Sequence, residues 1–117
     1  MLTLSMGLFV VAALAGLTML IQHFQGSLPR VGLALMHGLF AAAGLVALIV
    51  AGMQTGFHGP AALALGVLIV AALGGFTLAL GFHLRQQRLP SALVIGHALP
   101  AAAGFVILLA SVFGLAA

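Results

Sequence analysis

The chain contains no aspartate, no glutamate, no lysine and no cysteine, and its only fixed charges are three arginines. Each absence removes a class of chemistry. Without carboxylates there is no paired-acid hydrolysis, no carboxylate-bridged di-iron centre and no dedicated magnesium or calcium cage. The buried acidic group common in proton-coupled transporters is missing as well. Without cysteine there is no disulfide framework, thiolate metal site, thiol nucleophile or covalently attached haem. A formal charge of +3 over 117 residues is too sparse for a nucleic-acid surface, so no nucleic-acid partner is expected. The high isoelectric point reflects only the missing acids.

What is present is apolar. Hydrophobic residues make up 65% of the chain and charged residues 3%, whereas a soluble domain carries roughly a quarter of its residues charged. Four hydrophobic runs stand out, at 4–24, 31–53, 61–83 and 91–114. Each is close to or beyond the ~20 residues that cross a bilayer core. The breaks carry turn chemistry, with Pro29, Pro60 and Pro90 marking helix starts. Because the runs are continuously apolar rather than alternating, a transmembrane barrel is excluded.

The two halves echo one another. Val11-Ala12-Ala13-Leu14 matches Val70-Ala71-Ala72-Leu73, Gly16 matches Gly75, and Thr18 matches Thr77. His23 corresponds to His83, Leu28-Pro29 to Leu89-Pro90, and His37 to His97. The expected architecture is therefore all-α: one integral membrane domain over 1–117, an up-down-up-down four-helix bundle of two repeated hairpins (about 4–53 and 61–114). A pseudo-twofold axis should lie along the membrane normal. Arg30, Arg85 and Arg88 all fall in the first and third connections. The positive-inside rule makes those loops cytoplasmic and both termini external, as in a bacterial inner membrane.

Ionisable groups deep in a membrane are costly and point to function. His37 and His97 each lie about two turns inside a span, at matched places in the repeat, and should approach the bundle axis from opposite sides. That is the arrangement required for two axial ligands of one haem iron. Their alternative role is structural: hydrogen bonds across the bundle to serine, threonine or backbone that fix helix register. Gly16, Gly44, Gly75 and Gly104 are expected at one level, leaving a flat slot for the porphyrin. Their alternative role is ordinary small-residue helix packing. His23 and His83 lie nearer the turns and read as interfacial residues. Contacts to haem propionates, a second ligand pair or an electron-donor site stay open for them. Arg30, Arg85 and Arg88 stand on the same side and are further candidates for propionate or donor contacts. His58 reads as a loop residue, Met19, Met36 and Met53 as core filling, and Pro100 as a bend in the fourth helix.

With four spans, histidines on neighbouring helices and glycines near them, the chain resembles the four-helix membrane b-type cytochromes, of which the cytochrome b561 family is the best-known type. The resemblance implies bis-histidine haem b, with His37 and His97 in the ligand role, and electron exchange with quinol or a redox partner protein. It departs from that family in having no histidine in the far half of the bundle, so one haem is expected rather than two. Loops this short favour an electron carrier or accessory subunit, in homo- or hetero-oligomeric form, over an independent enzyme. Two other readings stand beside it. One is a histidine-based transporter or channel for protons or a divalent metal, for which the spans offer only Thr3, Ser5, Thr18, Thr77 and Ser111 as a polar path. The other is a structural or assembly subunit of a membrane complex.

Overall fold

The hydrophobic runs form four long helices in the computed structural model, which describes residues 1–115. These are α1 (Leu2–Phe24), α2 (Val31–Thr55), α3 (Gly59–Leu78) and α4 (Ser91–Val112). Helix α3 continues into a π turn, Ala79–His83, closed by the Leu84 amide donating to the Ala79 carbonyl at 2.9 Å. The four spans of 23, 25, 25 and 22 residues are about 33–38 Å long at 1.5 Å per residue, enough to cross a core of about 30 Å. The chain is an integral membrane protein with four spans.

Packing obeys membrane rules. Large apolar side chains face outward, among them Leu14, Leu39, Val46, Leu73 and Leu99. The buried faces are lined by Ala12, Ala15, Ala47, Ala51, Ala64 and Ala71. In lipid, hydrophobicity does not drive helices together, and close backbone approach through small residues does. Met36 and Met53 correct the expectation of core filling: both are exposed on the outer face. The extensive contacts lie within each hairpin, α1 on α2 and α3 on α4, while α2–α3 and α1–α4 touch sparingly.

The proline expectation holds in an adjusted form. Pro60 sits in the first turn of α3, whereas Pro29 and Pro90 precede α2 and α4, Pro90 as the residue at the helix boundary. Helix α4 runs unbroken through Pro100. The twofold repeat extends to details the alignment of motifs leaves implicit. Phe9 fills the notch at Gly44, and Leu68 fills the equivalent notch at Gly104. Ser5, fully buried, donates to the Gly44 carbonyl at 2.8 Å, while its counterpart in the second half is the equally buried Ala64.

Matching residues lie 59 apart up to Thr18 and Thr77, but 60 apart at His23 and His83. The second hairpin thus holds one extra residue in this stretch, and the π turn is where it is accommodated. The turns that follow are alike. Ser27 and Gly26 amides bond the Gln22 and His23 carbonyls, and the Gln87 and Gln86 amides bond those of Phe82 and His83. Both are Schellman caps requiring a left-handed residue. The first uses Gly26 (φ +85°) and the second Gln86 (φ +55°). A side chain at such a position costs roughly 1–2 kcal/mol. Gly26→Ala should lower stability by about 1 kcal/mol and Gln86→Gly should raise it by up to a similar amount, read as opposite shifts of the detergent-unfolding midpoint.

Candidate functional site: two imidazoles across the bundle axis

His37 on α2 and His97 on α4 meet across the seam between the hairpins. Their ring centroids are 6.1 Å apart and the ring planes are nearly perpendicular, at 88°. Each ring is fixed by one bond within its own hairpin. His37 Nδ1–H donates to the Ala12 carbonyl at 2.7 Å, and His97 Nδ1–H donates to the Ala71 carbonyl at 2.6 Å. A carbonyl oxygen can only accept, so both neutral rings carry their proton on Nδ1. The Nε2 lone pairs have no partner among the described residues, and both residues are only half-buried.

The glycines explain how a helix carbonyl comes within reach. In an α-helix the carbonyl of residue i points at residue i+4, so Ala12 faces Gly16 and Ala71 faces Gly75. A Cβ added at Gly16 would lie 2.9 Å from His37 Cε1, and one at Gly75 would lie 3.0 Å from His97 Cε1. The imidazole occupies the volume that any other side chain would take. Gly74 also approaches His97, with ordinary contact at 3.4 Å.

This corrects the expectation of four glycines at one level. Gly16 and Gly75 seat the imidazoles, and Gly44 and Gly104 seat Phe9 and Leu68. The physical reason is antiparallel pairing. Residues later in α2 sit opposite residues earlier in α1, so Gly44 lies at the level of Phe9, seven residues from Gly16. At 1.5 Å per residue the two glycine levels are about 10 Å apart.

His23 and His83 also depart from expectation. They are not open to the interface but buried, at 8% and 4% exposure. His23 Nε2 shares a hydrogen bond with Ser91 Oγ at 2.9 Å, and His83 Nε2–H donates to the Pro29 carbonyl at 2.6 Å. Arg30, Arg85 and Arg88 are exposed on the loops of the same side. There the two connections enclose a cleft of about 250 Å³ lined by His23, Ser27, Leu28, Gln86 and Arg88. His58 is an exposed loop residue at the opposite end, as expected.

Among the described residues no three histidines converge on a common point that would hold a metal ion; the arrangement is a pair. The partners that motif reading missed are backbone atoms, the carbonyls of Ala12, Ala71 and Pro29. The signal for the first two was the Ala-x-x-x-Gly spacing at 12–16 and 71–75, which uncovers a carbonyl once in each hairpin. No known protein-family model, curated protein or solved structure matches the chain.

Two measurements follow from this geometry. Nitrogen chemical shifts of ¹⁵N-histidine-labelled protein should report Nδ1-protonated rings for His37 and His97 and an Nε2-protonated ring for His83. Gly16→Ala or Gly75→Ala should push the facing ring away and weaken the Nδ1–H···carbonyl bond of that histidine alone, read as a change in its nitrogen shifts.

Proposed function

We propose that the protein is a membrane b-type cytochrome that holds one haem b between His37 and His97 and passes single electrons to or from a quinol or a partner protein. The observation that carries this reading is the orientation of the two imidazoles. A metal-ligating histidine almost always donates its other ring N–H to a carbonyl or carboxylate, which fixes the tautomer and raises the basicity of the ligating nitrogen. His37 and His97 both do so, and each Nε2 is left without a hydrogen bond among the described residues.

The donor set fits the group. The rings here are 6.1 Å apart. His37 and His97 would hold the haem iron through their Nε2 atoms, and a pair of imidazoles at about this separation would leave room for one metal ion between them. When bound, bis-imidazole haem supplies a reversible one-electron couple with no open iron position, which suits electron transfer rather than oxygen or substrate activation. The chain's own contribution is orientation. Ala12 and Ala71 hold the rings, Gly16 and Gly75 give them room, and the surrounding alanines keep the site dry.

Electron exchange would take place on the arginine side, next to the cleft between the two connections, the side that the positive-inside rule favours as cytoplasmic. Arg30, Arg85 and Arg88 have no acidic partner anywhere in the chain, leaving them available to propionates, lipid phosphates or an acidic redox partner. Movement of protons or metal ions through the bundle is the weaker reading. The half beyond the histidines carries the apolar cluster of Met6, Phe9, Leu48, Ala64, Leu68 and Leu108, with Ser5 the one buried polar side chain described there.

A reduced-minus-oxidised spectrum of protein expressed with ample haem should show sharp Soret and α bands at one haem per chain. His37→Ala or His97→Ala should remove them, while His58→Ala leaves them unchanged. The perpendicular rings should give a strongly anisotropic low-spin ferric resonance. A colourless wild-type protein would sink this reading.

A further inference from the structure

Among the described residues, only two side-chain hydrogen bonds cross from one hairpin to the other, and histidines make both. They are His23 to Ser91 and His83 to the Pro29 carbonyl. The remaining side-chain bonds between helices, from Ser5, His37 and His97, stay within a hairpin. Van der Waals packing follows the same division, dense inside each hairpin and thin between them. The His37–His97 pair therefore straddles the weakest seam of the bundle, with two buried polar ties beside it towards the arginine loops.

The ties obey the twofold repeat. Each runs from the C-terminal end of the first helix of one hairpin to the start of the second helix of the other. One ends on the first residue of α4, the other on the carbonyl just before α2. The second hairpin preserves this despite its extra residue. In a continuous α-helix that residue would swing His83 about 100° away from the position His23 occupies in the first hairpin. The π turn at Ala79–His83 absorbs it and returns the ring to the seam.

We propose that His23 and His83 are positioning residues, paired cross-ties that set the separation of the two hairpins and thereby the spacing and angle of the His37 and His97 imidazoles. The π turn serves to keep His83 in that role. The part of the proposal that concerns haem geometry rests on the cytochrome reading; the part that concerns hairpin separation does not.

The cysteine-free chain allows a direct test. Gadolinium(III) chelates, which survive the reductant, are attached through thioether links at Gln25→Cys and Gln87→Cys, exposed sites on the arginine-side connections of the two hairpins. Pulsed dipolar distances are measured on reduced protein in liposomes, so that any bound haem iron is diamagnetic. The expected result is a narrow wild-type distribution that broadens in His23→Ala and His83→Ala. His23→Gln and His83→Gln should restore it, because the glutamine amide nitrogen reaches close to the position of imidazole Nε2. Deleting Leu80, which removes the extra residue, should broaden the distribution as His83→Ala does.

Ferric resonance spectra of the same variants should shift in anisotropy with alanine and return with glutamine. Alanine variants as narrow as wild type would overturn the proposal, as would glutamine variants as broad as alanine. Should the alanine proteins not accumulate, the glutamine variants and the Leu80 deletion decide by the same criteria. Lack of haem in the wild type would sink the cytochrome reading and leave the distance comparison standing.

Discussion

The structure depends on the bond between a histidine Nδ1–H and a carbonyl of the neighbouring antiparallel helix, made once in each hairpin. In a bilayer every buried polar group needs a partner inside the protein. An imidazole on α2 or α4 has no acidic side chain to turn to, because the chain has none. It turns to backbone, which is already spent on the helix ladder. A carbonyl has a second lone pair, however, and a glycine four residues on leaves it uncovered. That bond ties the two helices of each hairpin together and selects the tautomer, leaving the other ring nitrogen free.

Around this bond the molecule divides its work along the membrane normal. The half near the termini carries the main apolar cluster, with Phe9 and Leu68 seated at glycine notches beside Leu48 and Leu108. The half near the arginine loops holds every buried histidine contact and thins out at the seam.

Much of this was legible in the residues. Hydropathy placed the four spans to within a few positions, and the repeat revealed two hairpins and the correspondence of His37 with His97. The depth of those two histidines followed from counting residues from the turns. Reading went astray where it assumed that similar distance along helices meant similar level in space. Gly16 and Gly44 seemed to share one slot, yet antiparallel pairing separates them, and each is filled by a side chain of the adjacent helix. His23 and His83 looked interfacial because they are near the turns. Both are buried because each ring reaches across to the start of the second helix of the other hairpin.

The sequence by itself determined the elements: all-α, membrane-spanning, four helices in two copies, with histidines at matched depth. Those properties are local, written in apolar run length, in proline and glycine at the breaks, and in repetition. Tertiary structure alone decided the partners. Which carbonyl meets which ring, which glycine is filled, and that an extra residue in the second hairpin is absorbed in a π turn all depend on how each helix is rotated and staggered against its neighbour. In lipid that rotation is set by the fit of small residues and a few polar bonds, terms that leave no periodic trace along the chain.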